Sequence, residues 1–544
     1  MSSPARPVPL APAQQAALLP ERLRDTPAAN VFLALELVGE IDAEALELAA
    51  AGVFEAHTAL RTVFPADRRV PYQRVVAVPD TVVETVAVEQ NQLAEALRAE
   101  AAHRFDLVER VPVRLRRFVV GERSILTLTV HPVAADDLAL DLLVEALCTA
   151  YNTGTVAPAV AQFAEFVPRQ LKSLTTTPTD DPSLSYWLER LAGLPERAEL
   201  VVGAASADPV RRFRVDPEIL ADFAGGHDRA AAFASLVARS LSEAGLGTDL
   251  AVGLLDQGRD AEGAEETIGH FANHLMLRFD TSTTGTPRDQ VAAAAELVAT
   301  ARANASTRVE RLTHQLKGAG AVATGGLFQV LVGVRAAART ARLRGCEVRE
   351  LDRRLVQPHG VDLVVDIAGD ADGVVVTLQG PALPDLDAFA AHLERRCRAW
   401  ATGTDETCTL GLFAAPATQF DLFGLPGQGG PAQTDTERAV IEAIRRVLEF
   451  DDDDEIGRED TFFSLGGDSI AALRLVTDLA ENGYTFDVQQ VFGSPAIHEL
   501  AALIDETADQ PAPEPAPAPA EVAPLSASGL DPAMLAALGK KLGQ

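Results

Sequence analysis

The chain has 544 residues, 47% of them apolar, and carries a formal net charge of −31. That length exceeds what one hydrophobic core serves and predicts two to four domains or lobes, with apolar content enough for large cores. So strong a negative charge repels phosphate and argues against nucleic acid, anionic membrane and other polyanions as partners.

Residues 1–20 hold no long apolar run behind basic residues, and no segment approaches about 18 consecutive apolar positions, so neither secretion nor membrane spanning is expected. Residues 1–425 alternate helical and strand patterns. Ala43–Phe54 and Leu138–Tyr151 read as helices. Arg114–Val120, Ser124–Val130, Leu275–Asp280, Leu327–Val332, Val361–Ile367 and Gly373–Leu378 read as strands, several of them rich in Val, Leu and Thr. Strands alternating with helices, twice over, suggest two related α/β sandwiches side by side. Ser173–Ser185, rich in Thr, Pro and Asp, reads as a hinge between lobes at 1–174 and 186–425.

A Gly/Pro-rich stretch, Gly424–Pro431, closes this region. Residues 434–507 are helical with short loops, and their acidic run Asp451–Glu455 is a solvated loop without metal-ligand spacing. Residues 508–525 are Pro/Ala-rich and form a semi-rigid spacer. In 526–544, Asp531 and Pro532 suit a helix start, Met534, Leu535, Leu538 and Leu542 mark an apolar face, and Lys540 and Lys541 suit the far end. So short a helix is marginal alone in water and reads as one that folds on docking. The four cysteines, Cys148, Cys346, Cys397 and Cys408, are scattered and form no CxxC pair, which fits a reduced, cytoplasmic setting.

The densest motif is Asp460-Thr461-Phe462-Phe463-Ser464-Leu465-Gly466-Gly467-Asp468-Ser469-Ile470-Ala471-Ala472-Leu473. Two glycines permit a tight turn, after which Ile470, Leu473 and Val476 recur at helical spacing. A Ser at a helix start is most often an N-cap. Here the whole stretch Thr434 to about Thr507, with Thr436-Glu437-Arg438 and Val491-Phe492-Gly493-Ser494-Pro495, resembles the peptidyl carrier domain of nonribosomal peptide synthetases. The resemblance implies a small all-α four-helix domain with 4′-phosphopantetheine on Ser469, installed by a phosphopantetheinyl transferase. Asp468 would assist that enzyme's metal–phosphate contacts.

Residues 1–425 resemble the condensation domain of the same synthetases. The residues that carry this are Leu10-Ala11-Pro12-Ala13-Gln14-Gln15, His57-Thr58-Ala59-Leu60-Arg61-Thr62-Val63-Phe64, Ile268 to Arg278, and Leu327-Phe328-Gln329-Val330. The resemblance implies a V-shaped pair of chloramphenicol-acetyltransferase-like α/β lobes with a central tunnel. There an acceptor amine attacks a donor thioester, chemistry that wants a group to orient or deprotonate the amine and to stabilise an oxyanion. The family's His-His-x-x-x-Asp-Gly motif is His131-Pro132-Val133-Ala134-Ala135-Asp136-Asp137 here. Pro132 stands in the place of the catalytic His, Asp137 in that of the Gly, and His131 in that of the supporting His. The resemblance implies that Asp136 is braced by Arg278. The family's sixth motif also departs, appearing as Asn304-Ala305-Ser306-Thr307-Arg308-Val309-Glu310.

If Phe271, Asn273 and Leu275 alternate as on a strand, His270 and His274 share one face, and His274 facing the tunnel could replace the lost base. The plainer expectation is that both are surface or core-edge histidines with satisfied ring nitrogens. A metal site of His131, His270 and His274 is the weakest reading, and no metal is expected.

No Gly-x-Ser-x-Gly elbow and no adenylation-type phosphate loop occur, so product release and amino-acid activation are expected elsewhere. The sequence therefore reads as a condensation–carrier didomain of a nonribosomal peptide or hybrid polyketide assembly line. Cargo on Ser469 would come from a separate adenylation enzyme or a donor carrier acting in trans. Since the chain starts almost at the first condensation motif, the C-terminal helix is expected to address a downstream subunit. The condensation-like domain would be a platform impaired in ordinary amide formation. The alternative is an active acyltransferase using His274, His131 or the proximity of two thioesters.

Overall fold

The computed structural model describes residues 8–508, except 25–27, 68–70, 175–180, 201–208, 283–284, 314–326, 337–340, 371, 381–382, 384, 405–409, 415–418, 420–425, 452–453, 468, 485, 487 and 494–495. The spacer beyond 508, the 526–544 helix, Cys408 and Asp468 lie outside the described residues.

Two mixed sheets organise residues up to 414. The first has five strands in the order Cys346–Arg354, Val31–Gly39, Arg123–Val130, Val113–Val120 and Val83–Ala87. All neighbours are antiparallel except the last pair. The helices Ala43–Ala56 and Asp137–Thr153 bury Leu46, Val53, Phe54, Leu140, Leu143 and Leu147 against Leu33, Leu35 and Leu128 of this sheet. Each fully buried aliphatic or aromatic side chain here contributes about 1.5–3 kcal/mol. Asp42 caps the first helix through the N–H groups of Glu44 and Ala45.

The second sheet has six strands in the order Asn273–Asp280, Asp249–Asp256, Val330–Ala336, Leu363–Asp370, Gly373–Gln379 and Val210–Val215. Its core holds Phe233 of helix Arg229–Leu241, Val291 of Pro287–Ala303 and Phe389 of Leu386–Ala401, together with Val332, Val365 and Leu378. Trp187, on helix Pro182–Leu191, is also buried there.

The anticipated strands and the two anticipated helices form, their ends shifted by a few residues. Two expectations change. The Ser173–Ser185 hinge shrinks, because helix Phe163–Leu174 runs into it and Asp181 caps helix Pro182–Leu191 through Leu184 N–H. The lobes are also not sequential: Cys346–Arg354, from the second half of the chain, pairs with Val31–Gly39 of the first sheet. That strand buries only Arg353 fully and is broken by a bulge between Glu350 and Asp352. Its backbone ladder holds it, and it offers no period-two apolar signal to read.

The carrier region has its own core. Helices Asp435–Leu448, Ser469–Glu481, Val488–Gly493 and Ile497–Ala508 enclose Val440, Ile444, Phe462, Phe463, Leu475 and Leu500. Thr434 caps the first helix through Glu437 N–H at 3.0 Å. Asp460 gathers three loop N–H groups, those of Gly427, Gly457 and Gln428, at 2.7, 2.8 and 3.3 Å. Among the described residues no helix is long and apolar enough to cross a membrane.

Candidate functional site

Ser469 opens helix Ser469–Glu481. The loop before it is held by a reciprocal pair: Thr461 N–H donates to Ser464 Oγ and Ser464 N–H to Thr461 Oγ1, both at 2.9 Å. Gly466 and Gly467 then donate back to the carbonyls of Phe463 and Phe462. Gly466 has φ +94°, a conformation that favours glycine. A Cβ on Gly467 would run into the ring and carbonyl of Phe462. This tight turn delivers Ser469 to a helix N-terminus, where backbone N–H groups and the helix dipole favour a phosphate, so the residues present fit a phosphopantetheine. The buried stripe of the helix is Ala472, Leu475 and Leu479, whereas Leu473 and Val476 are half-buried.

The altered motif sits where strand Arg123–Val130 gives way to helix Asp137–Thr153. His131 is sealed in: its Nδ1 accepts Val133 N–H at 3.0 Å, its Nε2 lies 3.3 Å from Glu21 Oε2, and Phe105 meets it edge-on. Burial pushes the Glu21 carboxyl up, but the hydrogen bonds from His131 and the Ala28 N–H outweigh this and hold it below its ordinary value. The Pro132 carbonyl is 2.6 Å from His270 Nδ1. Burial pushes the His270 imidazole down, against the pull of Asp136. A neutral ring with Nδ1–H donating satisfies that contact.

Asp136 is almost wholly buried and fully engaged. Its Oδ1 accepts Ala139 N–H at 2.8 Å, capping the helix, and Arg259 Nη2 at 2.7 Å. Its Oδ2 accepts the N–H groups of Phe271 at 2.9 Å and Ala272 at 3.2 Å. Burial alone would raise its pKa, but the Arg259 charge brings it below the usual range. The brace is therefore Arg259 and not Arg278. Arg259 also donates to the carbonyls of Ala264, Thr267 and Gly269 and lies over the Phe271 ring. Arg278, far along strand Asn273–Asp280, pairs with Asp249 at 2.6 Å and donates to the carbonyls of Arg190, Ala192 and Gly193. The resemblance implied Arg278, and the long-range packing of the 259–271 loop brings Arg259 to Asp136 instead.

The same contacts undo the shared-face expectation for the histidines. Because Asp136 takes the N–H groups of Phe271 and Ala272, that segment leaves the sheet, and the strand begins only at Asn273. His270 turns to Pro132. His274, opposite Leu255, lines a cavity of about 670 Å³ between the lobes, and neither of its ring nitrogens has a hydrogen-bond partner among the described residues. Burial pushes His274 down to about 4, so its imidazole is neutral at pH 7. Arg308, ion-paired to Glu310, donates to the carbonyls of Phe271 and Ala272 and fixes the segment from behind. Among the described residues no group of three or more His, Cys, Asp or Glu could hold a metal ion.

Asp137 also lines the cavity, with Asp141, Glu145, Arg335 and His57. Its Oδ1 accepts Val356 N–H at 3.1 Å, a contact made possible by the crossing strand before Val356. Burial, with the Asp366 carboxylate nearby, pushes it up to about 7. The sequence marked Asp137 only as a departure from glycine. His57, Arg259 and Arg335 carried no signal of a role, since each reaches the site from a distant segment.

A condensation-domain family model matches residues 5–340, and a phosphopantetheine attachment-site model matches residues 438–504. The chain is 33% identical over 330 residues to a protein of Salinispora arenicola (strain CNS-205) described as a probable non-canonical nonribosomal peptide synthetase, CymA, covering 56% of this chain and 4% of that protein. It is 31% identical over 338 residues to the dimodular nonribosomal peptide synthase of Bacillus subtilis (strain 168), covering 56% and 14%. Among solved structures, the X-domain in a complex of the X-domain and OxyB from teicoplanin biosynthesis aligns at 26% identity, with a TM-score of 0.60 over 74% of this chain and 96% of that one. The chain thus spans a small fraction of the length of these curated relatives. It belongs to the condensation-domain family and joins to that domain a carrier domain for covalently attached 4′-phosphopantetheine, the condensation–carrier architecture of nonribosomal peptide synthetases.

Proposed function

We propose that this didomain carries an aminoacyl or peptidyl thioester on the pantetheine of Ser469, loaded in trans, while its condensation-like domain serves as a platform for enzymes that act on that cargo. The observation that carries this reading is Pro132. In the place of the family's catalytic His it offers neither side-chain donor nor acceptor, and its carbonyl is occupied by His270. The similarity to an X-domain solved in complex with OxyB supports a docking role. Pantetheine supplies a flexible thioester arm; the chain's part is to hold Ser469 at a helix start and to present half-buried Leu473 and Val476 to partners. A phosphopantetheinyl transferase, a separate adenylation enzyme or donor carrier, and a downstream subunit would be its partners.

Intact-protein mass spectrometry tests this. Ser469 is charged with an aminoacyl-pantetheine and an acyl-loaded donor carrier is added. The platform reading expects no growth of the Ser469-bound species with the natural chain and a gain of activity on Pro132→His. A second reading, an acyltransferase with altered chemistry, is favoured by His274, whose unbonded ring faces the cavity. It expects growth by the donor's acyl mass that disappears in His274→Ala.

A further inference from the structure

The cavity between the lobes is lined on one side by three carboxylic acids from successive turns of helix Asp137–Thr153: Asp137, Asp141 and Glu145. Two arginines answer this charge, and both are spoken for. Arg335 grips Asp366 through two nitrogens, at 3.0 Å each, and lies 3.6 Å from Asp141. Arg353 takes the other oxygen of Asp141 at 2.9 Å. Asp137 is left over. It is 9% exposed, its Oδ1 holds one backbone N–H, and its Oδ2 has no hydrogen-bond partner among the described residues. No cationic side chain among the described residues comes within ion-pair distance of it, so Arg335 acts on it only from further away.

A buried carboxylate without a cation is costly, and proteins normally pair or neutralise it. A neutral, protonated Asp137 would remove that cost, but its Oδ2 would still lack a hydrogen-bond partner among the described residues. The cavity has room for an external partner.

We propose that Asp137 anchors the ammonium group of an amine-bearing acyl chain presented on pantetheine, making this cavity a binding site for cationic acyl groups. Glu265 and Glu266, which also line the cavity, add a negative field that draws the cation in. The ligand's route to the site rests on the carrier reading above, whereas the binding itself does not require Ser469 or any catalysis.

The test uses the full chain with Ser469→Ala, so that no cargo is self-loaded, and three hydrolysis-resistant aminopantetheine amides titrated calorimetrically. Hexanoyl-aminopantetheine has no amine, glycyl-aminopantetheine has an α-amine only, and 6-aminohexanoyl-aminopantetheine has a terminal amine only. One or both amine-bearing probes should bind about tenfold or more tightly than the hexanoyl probe. The one preferred tells whether the site takes an α-ammonium or a side-chain ammonium. The preference should vanish in Asp137→Asn, which keeps an acceptor for Val356 N–H. Equal binding of all three probes, binding of none, or an amine preference that survives Asp137→Asn would each overturn the proposal. Since the three-probe comparison is made on the unaltered cavity, the outcome does not hang on the variant's folding.

Discussion

Replacing Asp137 by Asn should stabilise the protein in a pH-dependent way. The Asp137 carboxyl is held at about 7 by burial and by Asp366, against an ordinary value of 3.8. Arg335 and the Val356 N–H oppose the shift, while Asp136 adds to it. With the folded value raised, the unfolded chain gives up its proton first as pH increases. Between pH 4 and 7 the folded state therefore binds more protons, and stability falls with rising pH. A gap of roughly three units corresponds to about 4 kcal/mol at most, since each unit is about 1.4 kcal/mol, and local relaxation lowers it. The Asn variant has no such penalty and keeps the hydrogen bond to Val356. Urea unfolding followed by far-UV circular dichroism at pH 4.5 and pH 8 should show the variant only about 1 kcal/mol more stable at the lower pH, where the unfolded carboxyl has begun to ionise. At pH 8 the variant should gain about 2–4 kcal/mol. A pH-independent difference, or a variant less stable at pH 8, would refute the claim that Asp137 is buried without a cation.

Other substitutions separate the contacts that matter. Arg259→Ala strands the Asp136 charge in the interior and should cost about 3–5 kcal/mol; Arg278→Ala, which loses a partly exposed pair, should cost about 1–2 kcal/mol. Equal losses in thermal unfolding would put the brace back on Arg278. Gly467→Ala forces a methyl against Phe462, should cost the carrier domain about 1–3 kcal/mol, and should slow conversion to the pantetheinylated form, read by intact mass. Ser469→Ala should abolish that mass gain altogether while leaving the helix content unchanged, and any residual gain would move the attachment point.

Much of the carrier domain was legible because its determinants are local. Thr434 reaches a nitrogen three residues away, Thr461 and Ser464 cap each other, and the Gly466-Gly467 turn leads directly into the Ser469 helix. The strand-and-helix alternation of the large domain was legible for the same reason. The sequence left open which face of the Ser469 helix is core: Leu473 and Val476 share the helical period, and the fold buries Ala472, Leu475 and Leu479 while leaving those two half-buried. Apolar spacing does not single out the buried stripe when several registers fit.

The alternating strand and helix periods, set by residues close in sequence, carried the two-lobed α/β plan, and the motif resemblance carried the Ser469 attachment site and Pro132 in the place of the family's catalytic His. Only tertiary structure decided that Arg259, 123 residues from Asp136, is its partner, that Cys346–Arg354 crosses to the first sheet, and that His270 and His274 point different ways. It also decided that Asp137 is enclosed without a cation. These depend on which distant segments meet, and a single sequence carries no record of that until the chain has packed.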